Sequence, residues 1–444
     1  MSLFGAMNAA ISGLGAQSAA FSNISDNVAN SQTVGYKRVD TSFIDYLTTS
    51  TATQNDSGAV AARPDYVNDV QGTVTQTDNA LGLAIAGQGF FAVSQQNGEV
   101  NSLPTFSPQQ YYTRAGDFKM DKNGYLVNSA GNFLNGWPVN IQTGIVNQNT
   151  LSPIQVTQTV YNPVATTTVT LSANLPATPA AGTAIPGSPV SSDIDVYDAL
   201  GTLHTIALNW VKTAQDTWSV QVNSADDTAL ANRGTADVSF GPATSGNPVP
   251  SGTVGALQID AANPGTITTS PYAANTAATV SFTTNFGSGP QTITINLGTY
   301  GQTNGVTQYA GTQYNLRGLT QDGVPPGAFA SVSTQANGAI VVNYDNGQTR
   351  TIAQVPVITF NDPNKLDRQN GEAFTASNNS GTPLAEAPGS NGAGNLVTQS
   401  VESSNVDIAT EFSKLIVAQQ AYSANTKMVT TADQMLQQTI NMKQ

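Results

Sequence analysis

Residues 401–442 read VESSNVDIATEFSKLIVAQQAYSANTKMVTTADQMLQQTINM, and within them Val401, Ile408, Leu415, Tyr422, Val429 and Leu436 recur at every seventh position. Phe412 and Ile440 fall on a companion position, which Gln419, Thr426 and Asp433 interrupt with polar groups. A strict seven-residue apolar repeat keeps one helical face turned to a partner helix, and polar seam residues set register at some cost in stability. Met428, Met435 and Met442 widen the apolar face beyond what one partner helix covers. The partner pattern stands at the other end of the chain. Residues 3–28, LFGAMNAAISGLGAQSAAFSNISDNV, place Leu3, Met7, Ala10, Leu14, Gln17, Phe21, Ile24 and Val28 at steps of four and three, the spacing of one helical face. Gly5, Gly13 and Gly15 weaken this helix, each by about 1 kcal/mol relative to Ala, so it needs a partner to bury its stripe. The C-terminal helix is expected to start after the capping run Ser403-Ser404-Asn405. A chain with its best helices at its two ends is expected to pair those ends with each other and with copies of itself.

The sequence between the ends changes character twice. From Ser31 to Asn79 it is polar and without period, notably over Thr48–Asn55 and Asp56–Pro64, and reads as a connector ordered only where neighbours pack on it. After Leu81 the period becomes two. Ile206, Leu208, Trp210; Trp218, Val220, Val222; Ile293, Ile295, Leu297; and Ile340, Val342, Tyr344 alternate as half-buried strands do. Asn97-Gly98, Asn123-Gly124, Asp322-Gly323, Asn337-Gly338 and Asn346-Gly347 read as tight hairpin turns, because both central residues take positive φ. Pro176–Pro189 reads as a loop, and the Gly/Ser/Asn-rich run Asn378–Asn395 leads into the last helix. The expected fold is mainly β, a multi-domain β excursion carried on paired, coiled-coil-like N- and C-terminal α-helices. Its expected divisions are a terminal helical assembly domain (1–30 and 402–444), a connector (31–80), an inner β domain (81–150 and 319–401) and an outer inserted β domain (151–318).

Composition narrows the function classes. Of the 444 residues only 10% are charged, against about 25% in an ordinary soluble domain. Such a surface suits a subunit flanked by neighbours. The net charge of −13 opposes nucleic-acid binding, which needs clustered Lys and Arg, and the pair Lys37-Arg38 reads as a solvated one. No cysteine is present, which removes disulfides and thiol chemistry. No Lys or Arg precedes Lys37, so the basic start of a secretory signal is missing. No apolar run reaches the roughly 18–20 residues of a membrane helix, and no membrane insertion is expected.

Candidate chemistry is sparse. His204 is the single histidine, set just after a turn at the start of an alternating strand, where a structural or solvated role is expected. Gly87-Gln88-Gly89-Phe90-Phe91 begins like a dinucleotide fingerprint but lacks the third glycine and the helix. Its glycines are expected to shape a strand entry. Asp121-Lys122-Asn123-Gly124 has part of a calcium loop but no Glu at the twelfth position, and a hairpin turn explains it. Nothing in the spacing of the acidic residues singles out a glycosidase pair. The chain reads as a non-enzyme with no cofactor and no metal.

Several segments, taken in order, resemble the axial proteins of the bacterial flagellum, most closely the hook branch of that family. Ala29-Asn30-Ser31-Gln32-Thr33-Val34-Gly35-Tyr36-Lys37-Arg38 is similar to the family signature that follows its first helix. Gln71-Gly72-Thr73 with Leu83–Phe91 is similar to a second block, and Tyr112–Phe118 with Asp121 and Gly124–Val127 to a third. Glu402–Asp407 with Gln419–Asn425 is similar to a fourth. The motif residues carried over are Asn30, Gly35, Tyr36, Gly87, Gly89, Phe90, Phe91, Asn405 and Asp407. Leu319–Gly323, Asn346–Thr349 and Phe360–Pro363, with the long insertion, favour hook over rod; Gly82 departs from the Asp common in relatives, and 151–318 matches weakly. The resemblance implies a subunit exported by the flagellar type III apparatus, without a cleavable signal, to the outside of the cell. It implies a homopolymer of many copies, a curved flexible tube that links rod to filament and transmits motor torque. The implied partners are the distal rod protein, the hook cap and the hook–filament junction protein. A distal rod or other axial protein is the alternative, and a secreted β-rich adhesin a more distant one. The assembly residues expected from the stripes are Leu3, Met7, Leu14, Phe21, Ile24, Val28, Ile408, Phe412, Leu415, Tyr422, Val429 and Leu436. Burying Leu14, Phe21, Leu415 and Tyr422 should contribute roughly 1.5–3 kcal/mol each.

Overall fold

The structure, a computed structural model, describes residues 3–50, 55–141, 143–178, 190–228, 230–311 and 313–441. The side chain of Leu3, the residue Met442, residues 51–54 of the expected connector and residues 179–189 of the expected loop lie outside that description. The chain divides into two units, named inner and outer after the divisions expected from the sequence: 1–158 with 330–343 and 349–444, and 159–329 with 344–348.

The inner unit carries both terminal helices, Leu3–Ala29 and Ile408–Asn441. They pair along their lengths, as both stripes lead one to expect. Between them the structure corrects the reading of 31–79 as irregular. Val39–Ser50 and Asn55–Tyr66 form a long antiparallel hairpin, in register from Val39↔Tyr66 to Tyr46↔Ala59 and bulged beyond. The hairpin lies along the N-terminal helix, where Val60 N donates to Ser12 Oγ at 3.0 Å and Asn23 Nδ2 to Thr41 Oγ1 at 2.8 Å. Its cohesion is backbone pairing plus a helix to lean on, so it leaves no apolar period to read.

The inner β body centres on a sheet that runs Thr349–Gln354, Asn132–Pro138, Phe91–Val100, Tyr111–Thr113, Ala373–Thr375, Asp367–Gln369. Aromatic side chains fill it. Phe90 meets Phe360 and Phe374 edge-on, with centroids 5.9 and 5.6 Å away, and Phe91 meets Phe118 at 5.6 Å. Two small pairings stitch the N-terminal flank to the C-terminal one: Leu83–Ala86 with Asn395–Thr398, and Val74–Gln76 with Ser400–Glu402.

The outer unit is a sandwich. One sheet is an antiparallel meander of Val190–Tyr197, Leu203–Ala214, Thr217–Ser224, Asn232–Phe240 and Val254–Ile259. The other contains Ala277–Asn285, Pro290–Thr299 and Thr168–Pro176, the last running parallel to its neighbour. Inward residues Leu208, Trp210, Trp218, Val222, Phe282, Ile293 and Ile295 form the core between them. The alternating runs read from the sequence supply most of it, because a period of two sends every second side chain to one face.

Turn chemistry is read correctly at some sites and wrongly at two. Asn337-Gly338 and Asn346-Gly347 join strands as expected, but only the glycine of each pair takes positive φ, not both central residues. Asn97-Gly98 instead lies inside a strand, at a register shift, and the hairpin turns at Asn101 and Ser102, with φ of 53° and 63°. Asp322-Gly323 is no hairpin turn. The Asp322 carboxylate accepts from Thr167 N at 2.8 Å, Thr168 N at 2.9 Å and Thr167 Oγ1 at 2.6 Å, fastening the chain where it enters the outer unit.

Candidate assembly surface

The two helices meet through small side chains. Ala10, Ala16, Ala20 and Ile24 are buried on the N-terminal helix, Ala418 and Ala432 on the C-terminal one. A Cβ on Gly13 would stand 2.9 Å from Asn425 Nδ2, so the backbones approach closely there. The seventh-position residues Leu415, Val429 and Leu436 lie half-buried beside this seam, and Phe21 meets Tyr422 edge-on at 6.2 Å. Met7, Leu14 and Val28 are half-buried as well.

The companion position is one residue from where the sequence suggests. Glu411, Ala418, Asn425 and Ala432 face the partner helix, whereas Phe412, Gln419, Thr426, Asp433 and Ile440 face outward. A glycine- and alanine-rich partner at short range leaves room only for small groups, so the bulky residues turn away. Phe412 is 52% exposed and Ile440 62%, and Ile408, Ile416, Val417, Met428 and Met435 share that exposure, as do Phe4 and Ile11 on the N-terminal helix. The pair therefore hides alanines and displays large apolar groups.

Below the helices the chain ends converge on a buried acid. Glu402 Oε1 lies 2.5 Å from Lys37 Nζ and accepts from Gly72 N at 2.8 Å; Oε2 accepts from Arg114 Nη1 at 2.9 Å. Gly35 N donates to the Glu402 main-chain carbonyl at 2.8 Å. Lys37 also donates to Val70 O, and Arg114 to Ile85 O and Gly87 O, with its guanidinium 5.3 Å from the Phe90 ring centroid. All three charged side chains are buried, which corrects the reading of Lys37 as solvated; Arg38 keeps partial exposure beside Asp40. Burial pushes the Lys37 ammonium below its ordinary range, against the pull of Glu402.

A second node joins the helices to the hairpin. Asn27, buried on the N-terminal helix, exchanges hydrogen bonds of 2.9 Å with both the N–H and the C=O of Val39, takes one from Tyr36 Oη, and donates to Glu411 Oε2 at 3.1 Å. Lys414 bridges Glu411 and Asp40 at 2.7 and 2.6 Å. Burial opposes the Lys414 charge, but the hydrogen bonds to Asp40 and Glu411 outweigh it and hold its ammonium above the ordinary value.

With this geometry in place the chain can be set beside known proteins. Family models match along its length: "Flagella basal body rod protein" at residues 7–37, "Flagellar hook protein FlgE/F/G D1 domain" at 84–172, "Flagellar basal body protein FlaE D2 domain" at 170–324 and "Flagellar basal body rod FlgEFG protein C-terminal" at 397–442. The Flagellar hook protein FlgE of Brucella suis is 32% identical over 447 residues, covering 100% of both chains. The chain belongs to the flagellar hook protein family. The Flagellar hook protein FlgE of Salmonella typhimurium is 29% identical, over 98% of this chain and 99% of that one. A crystal structure of Helicobacter pylori flagellar hook protein FlgE2 covers 74% of this chain and 100% of its own, with 14% identity and a TM-score of 0.46.

The motif residues expected from the resemblance lie near the buried acid, at the ends of the first and last helices and in the inner β body. Gly35 has φ of 72°, and a Cβ there would overlap the Ala115 backbone, so only glycine fits. Tyr36 stacks under Arg368, whose guanidinium is 4.4 Å from the ring centroid. Asn405 accepts from Arg38 N at 2.7 Å and donates to Val67 O and Val70 O. Asn30 closes the first helix through a bond to Asp26 O. Gly87 receives Arg114, Gly89 packs on Val357, and Phe90 and Phe91 enter two parts of the core. Asp407, rather than Ser403–Asn405, caps the C-terminal helix, taking Thr410 N at 2.7 Å. Glu402, Arg114, Asn27 and Glu411 were absent from the sequence-predicted site. Their one signal is scarcity: in a chain with 10% charged residues, a charge inside a glycine-rich motif is worth noting.

Elsewhere, His204 stacks on Phe286 at 4.0 Å, with Nδ1 3.0 Å from Asp226 and Nε2 3.7 Å from Asp198, a structural setting. Asp121 accepts from Asn123 N and Tyr125 N, closing a turn. Among the described residues no helix is long and apolar enough to cross a membrane.

Proposed function

We propose that the chain is the structural subunit of the hook, polymerising through the outward apolar faces of its terminal helices into a curved, flexible tube that links rod to filament and carries motor torque. The observation that carries this reading is the inverted helix pair, alanines inside and Phe412, Ile416, Met428 and Ile440 outside. Large apolar side chains left exposed along both terminal helices mark an interaction surface. Each such side chain gains about 1.5–3 kcal/mol on full burial, which packing against neighbouring copies would supply. The assembly domain comprises 1–30 and 402–444; the inner body holds the tube wall, and the outer sandwich supplies polar contacts of near-equal energy that slide as the tube bends. The distal rod protein, the hook cap and the hook–filament junction protein are its partners at the tube ends. The flagellar type III apparatus delivers it outside the cell without a cleaved signal. The role is structural and requires no catalysis.

Electron microscopy of the purified chain tests this. The parent should form curved tubes, and Phe412→Ser with Ile416→Ser should form none while the outer sandwich melts at the parent temperature. Straight, rigid tubes would favour a rod protein, and tube formation by the double variant would overturn the assigned surface.

A further inference from the structure

The two outward faces of the outer sandwich carry different chemistry. On the sheet that contains Thr168–Pro176, Ala277–Asn285 and Pro290–Thr299, outward side chains line up across the strands. Thr268, Ser281, Thr294 and Thr168 form one row. Thr279, Asn296, Thr170 and Thr320 form the next. Hydroxyls of this face pair with one another, Ser281 with Thr294 at 2.9 Å and Thr283 with Thr292 at 3.2 Å. Each pair uses one hydroxyl hydrogen and leaves one to donate outward. The acid at the rim, Asp322, is taken up by Thr167 and Thr168. Arg317 brings a positive charge to the margin, where it donates to Gly305 O, the oxygen that Ser172 Oγ also meets. The opposite sheet turns Asp193, Asp195 and Asp237 outward. Asp193 and Asp195 accept from Ser191 and Thr205 of their own sheet and keep further lone pairs. The strands of that sheet carry two cations, Lys212 and Arg233, and both are buried. We propose that in the tube the hydroxyl-rich face of one outer unit lies on the acidic face of the next copy's outer unit, its hydroxyls donating to Asp193, Asp195 and Asp237.

Charge selects the partner. Acidic face against acidic face would oppose like charges in a chain of net charge −13, whereas hydroxyls on carboxylates make charge-assisted bonds, stronger than neutral ones. Burial, with Asp260 adding to it, pushes the Asp237 carboxyl above its ordinary range, so its charged form gains from an added donor. Symmetry selects the same partner. Contact of one face with its own copy is isologous and closes at two copies. Contact between opposite faces is heterologous and continues along an open array, as a tube requires. Spacing then gives the contact its freedom. Neighbouring strands lie about 4.8 Å apart, and a slide by one strand carries each carboxylate from one hydroxyl to the next in the same row. Several positions of near-equal energy follow, which is what bending asks of the outer contacts. The pairing presupposes the tube proposed above and names the surfaces that meet in it.

Tubes of the full-length chain provide the test. The chain has no cysteine, so Thr170→Cys marks the hydroxyl-rich face and Gln221→Cys, on the central strand of the other sheet, marks the acidic one. In tubes of the double variant a flexible bismaleimide should join copies into a ladder of multimers, and each single variant should stay monomeric. Thr292→Asp with Thr320→Asp, added to the double variant, sets carboxylates against carboxylates and should cut the ladder by about tenfold or more. Thr292→Lys with Thr320→Lys at the same positions should keep it. Circular dichroism should show the strands of every variant intact. An equal response to Asp and Lys, a cross-linked pair from either single variant, or tubes that give no ladder would overturn the pairing and leave the helix-borne assembly surface standing. A parent that forms no tubes would reject both.

Discussion

Lys37 and Lys414 show how the same ammonium is used in two ways. Lys37 is sealed from water and pinned to one carboxylate, so it serves position; Lys414 stays 37% exposed and bridges two, tying the C-terminal helix to the hairpin. Asp407 is a third kind of charge. Its bonds with Thr410 at the helix start hold its carboxyl below the ordinary aspartate range. A carboxyl lowered by folding stabilises fully above its unfolded value of about 3.9, and that contribution disappears as pH falls through the lower folded value. The C-terminal helix should therefore lose helicity in acid, and Asp407→Asn should flatten that part of the titration. Circular dichroism of parent and variant between pH 5 and pH 2 is the check; identical curves would remove Asp407 from the account. Asp407 belongs to the motif expected from the resemblance, but its capping role needed the position of the helix start, two residues beyond where Ser403–Asn405 suggested.

At the scale of the element, the N-terminal helix owes its marginal strength to its glycines, and the structure separates their roles. Gly15 has nothing within 4 Å of a Cβ, whereas Gly13 faces Asn425 at 2.9 Å. Gly15→Ala should stabilise the helix by about 1 kcal/mol, while Gly13→Leu should separate the pair and cut Phe21–Tyr422 contact. Hydrogen exchange over residues 10–24 in the two variants distinguishes them; equal effects would mean that the close approach has no part in pairing. The stripes themselves were legible, since a seven-residue repeat reports which face turns inward. The companion seam was not, because periodicity cannot say how near the partner lies, and at short range Ala418 and Ala432 displace Phe412 and Ile440 from the inward face. The pairing of Val39–Ser50 with Asn55–Tyr66 was hidden for a related reason: the strands satisfy their backbone groups with each other and carry no apolar period.

At the scale of the molecule, the outer unit is a closed sandwich with its own core of Trp210, Trp218 and Phe282, fastened at its entry by Asp322. A domain with an independent core can be removed without unfolding the rest. Replacing residues 159–329 by a short Gly/Ser linker should leave a chain that still forms tubes of altered curvature or stiffness, seen by electron microscopy. A shortened chain unable to polymerise would show that the outer unit takes part in building the tube. The sequence by itself determined the helices at both ends, the alternating strands of the sandwich, the absence of thiol chemistry and the family. These are written in local periods and motifs, which depend on residues close along the chain. The tertiary structure alone decided that Ala418 and Ala432 rather than Phe412 and Ile440 face the partner helix, that 39–50 and 55–66 pair as strands, and that Lys37, Gly72, Arg114 and Glu402 share one buried site. Those outcomes depend on separations in space between segments far apart in sequence, and on which groups lose water when the segments meet.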